Sequence, residues 1–343
     1  MIRVLIIEDS PLAAKVITKI LESDPELKVI AVANSGREGI KLVLELKPDI
    51  ITMDIMMPGI DGVEATKQIM SYQPTPILLL TSSYPSKMDD VFKAISFGAL
   101  DVEEKINFGQ VLEEKAKELL IKKIKLLSGI KVIRHPLAKL EKNARAVEAP
   151  AVVKKALPLK RIVAIATSTG GPQALASILV KLPKSFPWGI LIVQHIAKGF
   201  DRGLAEWLGK SCELKIKLAE SKEDIKAGTA YIAPNDFQMK VKERGVIVLS
   251  DEASYGNFKP SADVLFKSVA EVYKNEAVGV ILTGMGRDGA SGIKLIKEAG
   301  GRTIAQDEKT CIVFGMPKEA IEIGGVDLVL PIDKIAGEIL NNL

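Results

Sequence analysis

Apolar runs of strand length recur along this chain, and the informative ones stop at a polar residue or a glycine turn. Early on, Val4-Leu5-Ile6-Ile7 stops at Glu8 and Asp9, and Ile50-Ile51-Thr52-Met53 stops at Asp54. Ile77-Leu78-Leu79-Leu80 stops at Thr81, and Leu100-Asp101-Val102 leads to Lys105. A further run, Val29-Ile30-Ala31-Val32-Ala33, adds a strand. Amphipathic helical patterns at 13–21, 36–46 and 63–70 separate these runs. Such alternation predicts a doubly wound parallel α/β sheet. In that fold, polar residues just past the strands gather at the carboxyl edge, where ligands bind.

Three carboxylates meeting at one edge repel unless a cation joins them. A hard divalent ion with oxygen ligands suits the set, and Mg²⁺ is the expected one. With a hydroxyl and an ammonium nearby, the site suits a phosphoryl group on a carboxylate. Simpler roles fit the same residues. Asp9 and Ser10 before Pro11 also suit a helix cap. Asp61-Gly62 reads as a turn or helix start, and Asp54 alone would be an ordinary strand-end residue.

Taken together, Glu8-Asp9, Asp54 within Met53-Asp54-Ile55-Met56-Met57-Pro58-Gly59, Thr81 and Lys105 resemble the receiver domain of two-component response regulators. The resemblance implies that Asp54 accepts the phosphoryl group. It implies that Glu8, Asp9, Asp54 and the Met56 carbonyl hold Mg²⁺. It further implies that Thr81 and Lys105 contact the phosphoryl oxygens. Two positions depart from the family pattern: Ile106 stands where Pro is common, and Val102 where an aromatic switch residue is usual.

The second half repeats the strand logic with different chemistry. Strands are expected at 162–166, 190–194, 230–232, 246–249, 278–282 and 303–305, all in a mostly parallel sheet. Helices are expected at 172–182, 202–208, 264–273, 289–299 and 335–340. The first strand runs into Thr167-Ser168-Thr169-Gly170-Gly171-Pro172, another ends at Gln194-His195, and a third leads to Asp288. A serine nucleophile needs a base and a carboxylate to orient that base, and these residues supply them. The chain has two histidines, and the other, His135, lies in an irregular stretch. Each piece has a plainer role: the glycine turn as a phosphate cradle, His195 as a structural histidine, Asp288 as a helix cap.

The set Ala166-Thr167-Ser168-Thr169-Gly170-Gly171-Pro172, Gln194-His195-Ile196, Tyr231-Ile232-Ala233-Pro234, Lys259-Pro260-Ser261-Ala262-Asp263 and Leu282-Thr283-Gly284-Met285-Gly286-Arg287-Asp288-Gly289 resembles the chemotaxis protein-glutamate methylesterase family (CheB family). The resemblance implies Ser168 as nucleophile, His195 as general base and acid, and Asp288 as the orienting carboxylate. The Met285 N–H would serve the oxyanion hole, and Thr169 would help position His195. Departures are Ala166-Thr167 for a common Gly-Ala, Arg287 for a common Asn, and Gln238 for a common His.

Between the halves, from Lys122 to Arg161, twelve Lys and Arg face two acidic residues, Glu141 and Glu148, in a chain of formal charge +4. With Pro136, Pro150 and Pro158, this stretch reads as a tether, with one short helix near 137–144 and a solvated basic helix tail before it. The helix preceding it is expected over 108–127, with Leu112, Ala116, Leu119, Leu120 and Ile124 on one face. No recognition-helix motif accompanies the basic stretch, so no nucleic-acid partner is expected. Cys212 and Cys311 are the only cysteines and read as small buried hydrophobes. No apolar run is long enough to span a bilayer, and Met1-Ile2-Arg3-Val4 leads directly into a strand.

The fold expected is α/β, two doubly wound parallel-sheet domains: a receiver at 1–121, a linker at 122–160 and a methylesterase domain at 161–343. The implied function is a phosphorylation-activated serine hydrolase that demethylates glutamate methyl esters on chemoreceptors and releases methanol; many members of the family also deamidate receptor glutamines. Mg²⁺ is expected in the receiver, with no cofactor for ester hydrolysis. The implied partners are the cytoplasmic domain of methyl-accepting chemoreceptors and a chemotaxis histidine kinase. A cytoplasmic location, with recruitment to chemoreceptor arrays and no membrane insertion, follows from the same resemblance. The alternative is a response regulator whose output domain binds a ligand or phosphate without catalysis.

Overall fold

In a computed structural model, residues 1–81, 88–105, 114–132, 161–243, 245–253 and 258–341 are described. His135, the helix expected at 137–144, the prolines of the tether and residues 108–113 of the expected helix lie outside them. The chain divides into two compact units, Met1–Asn143 and Ala144–Leu343.

The first unit holds five parallel strands: β1 (Ile2–Ile7), β2 (Leu27–Ala33), β3 (Ile50–Met53), β4 (Ile77–Thr81) and β5 (Asp101–Glu104). Their order is β2-β1-β3-β4-β5. Helices α1 (Pro11–Leu21), α2 (Gly36–Leu46), α3 (Gly62–Tyr72), α4 (Met88–Ser96) and α5 (Glu114–Ser128) cover the sheet. Near-continuous burial of β1, β3 and β4 agrees with strands covered on both faces. Ser10, not Asp9, caps α1, accepting from Ala13 N at 3.3 Å. Asp61 caps α3, accepting from Glu64 N at 2.8 Å.

Helix α5 corrects two expectations. Its buried apolar side chains are Leu120, Ile124 and Leu127, while Leu119 is 42% exposed, so Leu119 belongs to the outer face. The basic tail is not simply solvated either. Lys123 is buried and pairs with Asp101 at 2.8 Å and with Glu103. Lys125 pairs with Asp24 at 2.7 Å and Glu26 at 2.8 Å. Two acidic neighbours on β5 offset the cost of burying the Lys123 ammonium and hold it above its ordinary pKa, against the downward pull of burial.

The second unit holds a seven-stranded parallel sheet in the order β14-β13-β12-β6-β7-β9-β8. Its strands are β6 (Ile162–Thr167), β7 (Gly189–Gln194), β8 (Lys215–Leu218), β9 (Thr229–Ile232), β12 (Ala277–Ile281), β13 (Arg302–Gln306) and β14 (Leu328–Leu330). The helices are α6 (Gly171–Leu179), α7 (Asp201–Ser211), α8 (Ala262–Tyr273), α9 (Ala290–Glu298), α10 (Met316–Glu322) and α11 (Ile332–Asn341). The run at 246–249 does form a strand, β11 (Val246–Ser250), but outside the main sheet. It pairs antiparallel with β10 (Gln238–Lys242) as a separate hairpin. The hairpin's inward residues Met239, Val241 and Ile247 join the core that α8 covers.

The chain enters this sheet at β6, builds outward through β7, then returns to the other side of β6 as β12. The reversal places three loops side by side at the carboxyl edge, those after β12, β6 and β7.

Candidate active site

Ser168 follows β6 directly. The ladder continues past the strand end: Ser168 N donates to Thr283 O at 3.0 Å, and His195 N donates to Thr167 O at 3.0 Å. Gly171 N donates back to Ser168 O at 2.8 Å, closing a tight turn into α6. Gly170 sits in that turn at φ 76°, where a Cβ would strike the Ile312 side chain at 2.7 Å. A side chain on Gly284 would meet Ser168 Cβ at 2.8 Å and Met316 Sδ at 2.4 Å. Both glycines allow the backbone to crowd around the serine.

His195 follows β7, and its Nε2 lies 2.8 Å from Asp288 Oδ2. The ring is nearly buried and Asp288 more so, their side chains 11% and 3% exposed. His195 Nδ1 is buried with no hydrogen-bond partner. No hydrogen bond joins Ser168 to His195 among the described residues. The ring nitrogen turned away from Asp288 is therefore the one left unpaired.

Asp288 is held from behind as well. Ser261 Oγ donates to its Oδ1 at 2.7 Å, Ala262 N to Oδ2 at 2.7 Å, and Asp263 N to Oδ1 at 3.1 Å. These donors begin α8, so Asp288 occupies a helix N-terminus, where backbone N–H groups and the dipole favour negative charge. The helix it serves is α8; α9, which follows it in sequence, is capped by Gly289. Burial works to raise the Asp288 carboxyl. The bond and charge of His195, with the donors from Ser261 and Ala262, outweigh burial and hold it below the usual range.

Met285 lies in the loop between β12 and Asp288, and its N–H donates no hydrogen bond among the described residues. Thr169 is placed differently from expectation. Its Oγ1 is buried without a partner and makes no bond to His195; its carbonyl accepts from Thr283 Oγ1 at 3.0 Å. The amide of Gln194 instead braces the turn, donating to Ser168 O and to His195 O, each at 2.8 Å. Phe258 also escaped the sequence reading, although its ring stacks on His195. It comes from an irregular segment with no periodic signal.

At the carboxyl edge of the first unit, the predicted acidic group assembles. Glu8, Asp9 and Asp54 bring carboxylate oxygens within 4.8 Å of one another. Lys105 Nζ lies 2.6 Å from Asp54 Oδ2 and 2.8 Å from Glu8 Oε2. Met56 N donates to Asp54 Oδ1 at 3.2 Å. Thr81 is buried at the end of β4, and its carbonyl accepts from Lys105 N at 3.0 Å. Burial pushes the Asp54 and Glu8 carboxyls up despite Lys105. Burial would lower the Lys105 ammonium, but its bonds to Asp54 and Glu8 prevail and hold it high. Three carboxylates against one ammonium leave negative charge in a half-closed site, which fits a hard cation with oxygen ligands.

Comparison with known proteins agrees with both halves. A model of the CheB methylesterase family matches residues 163–339, and one of the response regulator receiver domain matches residues 4–125. A protein-glutamate methylesterase/protein-glutamine glutaminase of Nitrosospira multiformis is 44% identical over 99% of this chain and 97% of its own. One of the same description from Pyrococcus abyssi is 41% identical over 97% of this chain and 91% of its own. The crystal structure of the Thermotoga maritima CheB methylesterase catalytic domain is 43% identical. It covers 53% of this chain and 98% of that one, with a TM-score of 0.53.

Proposed function

The chain belongs to the CheB methylesterase family, and we infer that it is a protein-glutamate methylesterase governed by its receiver domain. The observation that carries the chemistry is the buried His195–Asp288 pair beside Ser168 at the crossing of β12, β6 and β7.

Ser168 Oγ attacks the carbonyl carbon of a glutamate methyl ester, and its proton passes to His195. Asp288 fixes the ring and stabilises the charge it gains. The tetrahedral oxyanion is met by the Met285 N–H. Collapse breaks the bond to the methoxy oxygen, which leaves as methanol with the proton from His195. Water then attacks the acyl-serine and gives a proton to His195, which passes it to Ser168 Oγ as the acyl bond breaks; the free serine is restored and the glutamic acid side chain ionises to solvent. A glutamine side chain follows the same route with ammonia as the leaving group. The absence of a Ser168–His195 bond suits a free enzyme, in which such bonds tighten when substrate binds.

In the receiver, Asp54 accepts the phosphoryl group. Glu8, Asp9 and Asp54 would hold Mg²⁺ with the Met56 carbonyl; the ion would neutralise charge on the transferring phosphoryl. Thr81 and Lys105 receive the phosphoryl oxygens. The substrate is the cytoplasmic helical bundle of methyl-accepting chemoreceptors, and a chemotaxis histidine kinase is the phosphodonor. The protein works in the cytoplasm, at chemoreceptor arrays. Among the described residues no helix is long and apolar enough to cross a membrane.

Methanol release from methylated receptor membranes tests this reading. The Ser168→Ala protein is expected to lose all measurable release while keeping its fold. Release at the wild-type rate by the folded variant would overturn the assignment.

A further inference from the structure

Two supports of the His195–Asp288 pair come from outside the three strand-end loops. The Phe258 ring lies face to face with His195, centroids 4.2 Å apart and planes 8° from parallel. Ser261, fully buried, donates to Asp288 at 2.7 Å. One side chain grips both. Gln238, 1% exposed on β10, donates from Nε2 to Phe258 O at 3.2 Å and accepts at Oε1 from Ser261 N at 2.8 Å.

We propose that Phe258 is a positioning residue for His195, and that Gln238 sets it in register with Ser261 on Asp288. The inference rests on the reading of Ser168, His195 and Asp288 as a triad.

The physical argument starts from the imidazole. The hydrogen bond that one ring nitrogen makes to the Asp288 carboxylate fixes that nitrogen, but the ring still pivots about the bond. A flat ring stacked on its face blocks the pivot, because turning drives the imidazole edge into the neighbour. The remaining nitrogen then keeps one direction. The Phe258 face also carries the negative side of the ring quadrupole toward a cation that forms only when His195 takes the serine proton. That stabilisation belongs to the transition state, so it acts on kcat more than on KM.

Gln238 suits its place because an amide offers a donor and an acceptor together. A carboxylate there would turn lone pairs toward the Phe258 carbonyl, and an aliphatic chain would leave that carbonyl and the Ser261 N–H unpaired. The β10-β11 hairpin thus carries a support of the chemistry without contributing a reacting group.

The test uses the full chain and two readouts: steady-state methanol release from methylated receptor membranes, and the rate of Ser168 labelling by a fluorophosphonate. Phe258→Leu fills similar space without a flat face. It is expected to lower kcat about tenfold, with KM nearly unchanged, and to slow labelling in proportion. Phe258→Tyr, which keeps the face, is expected to recover most of both. Gln238→Leu is expected to fall with Phe258→Leu. Should Phe258→Leu fail to fold by circular dichroism, Phe258→Met takes its place. Wild-type kcat and labelling in the Leu variant, or equal losses in the Leu and Tyr variants, would overturn the proposal. Wild-type protein that labels at Ser168 but releases no methanol would sink the substrate reading alone, and the labelling comparison would still decide the stack. Wild-type protein that does not label would sink both.

Discussion

The side-chain amide of Gln194 donates to the carbonyl oxygen of Ser168 at 2.8 Å, tying the end of β7 to the turn after β6. The same nitrogen reaches the His195 carbonyl at 2.8 Å, so one group sets the backbones of the proposed nucleophile and base. Gly171 makes room for it. A Cβ at Gly171 would lie 1.9 Å from Gln194 Oε1 and 2.7 Å from Thr167 Oγ1. Gly171→Ala is therefore expected to displace the amide and cut methanol release by more than about tenfold. Gln194→Ala, which strips a donor from two part-buried carbonyls, is expected to lose about 1–3 kcal/mol of stability as well. Urea titration beside the activity assay checks both.

Asp288→Asn leaves the shape of the site intact but replaces a charged acceptor with an amide. Loss of turnover on the order of 10³–10⁴ is expected, because the ring loses its orienting partner and the countercharge for the imidazolium. Activity within about tenfold of wild type would show that His195 works without that carboxylate.

A small phosphodonor with Mg²⁺ is expected to raise methanol release on the order of tenfold in the wild type and not at all in Asp54→Asn. Isothermal titration with Mg²⁺ alone gives an independent readout. Asp9→Asn is expected to weaken binding by removing one of the three gathered carboxylates.

Lys123 anchors α5 to β5 through Asp101, with the two side chains 10% and 6% exposed. Lys123→Met is expected to cost about 3–5 kcal/mol in the receiver's unfolding transition, because it strands a buried carboxylate. The double variant Lys123→Met with Asp101→Asn is expected to recover part of that loss. Additive losses would mean the pair is not coupled.

Both thiols are held protonated. Burial pushes Cys212 up to about 12, and burial with the nearby Asp307 charge pushes Cys311 up to about 12. At pH 8 a thiolate fraction near 10⁻⁴ follows, so alkylation by iodoacetamide is expected to run about a thousandfold slower than for free cysteine. Labelling at the free-thiol rate in the native protein would contradict this.

Strands such as β6, β7 and β12 were legible because buried parallel strands read as unbroken apolar runs. Their polar ends then marked the site. The same signal misplaced β11, since a local run of Val246-Ile247-Val248-Leu249 carries no record of its partner. Strand β8, with Lys215 and Lys217 alternating along an edge, offered no apolar run at all. Helix α10 is only two turns long, too short for a helical period to stand out. Leu119 was put on the wrong face of α5 because periodicity treats every lysine as outward, whereas Lys123 turns inward to Asp101. The triad candidates were visible at strand ends, but their supports were not. Gln238, Phe258 and Ser261 meet only through tertiary contacts across hairpin, loop and helix.

The return of β12 to the far side of β6 also sets when the hydrolase comes into being. Thr167 and Thr283 are joined side chain to backbone across 116 positions of sequence. A ribosome delivers Ser168 and His195 near the middle of the chain, yet the strand that leads to Asp288 emerges only after the hairpin and α8 have been made. Loops of that length close slowly, and no local contact substitutes for them. On the proposed mechanism the nascent chain carries an inert serine from position 168 until Asp288 is made, and truncation before β12 is expected to leave a product with no esterase activity.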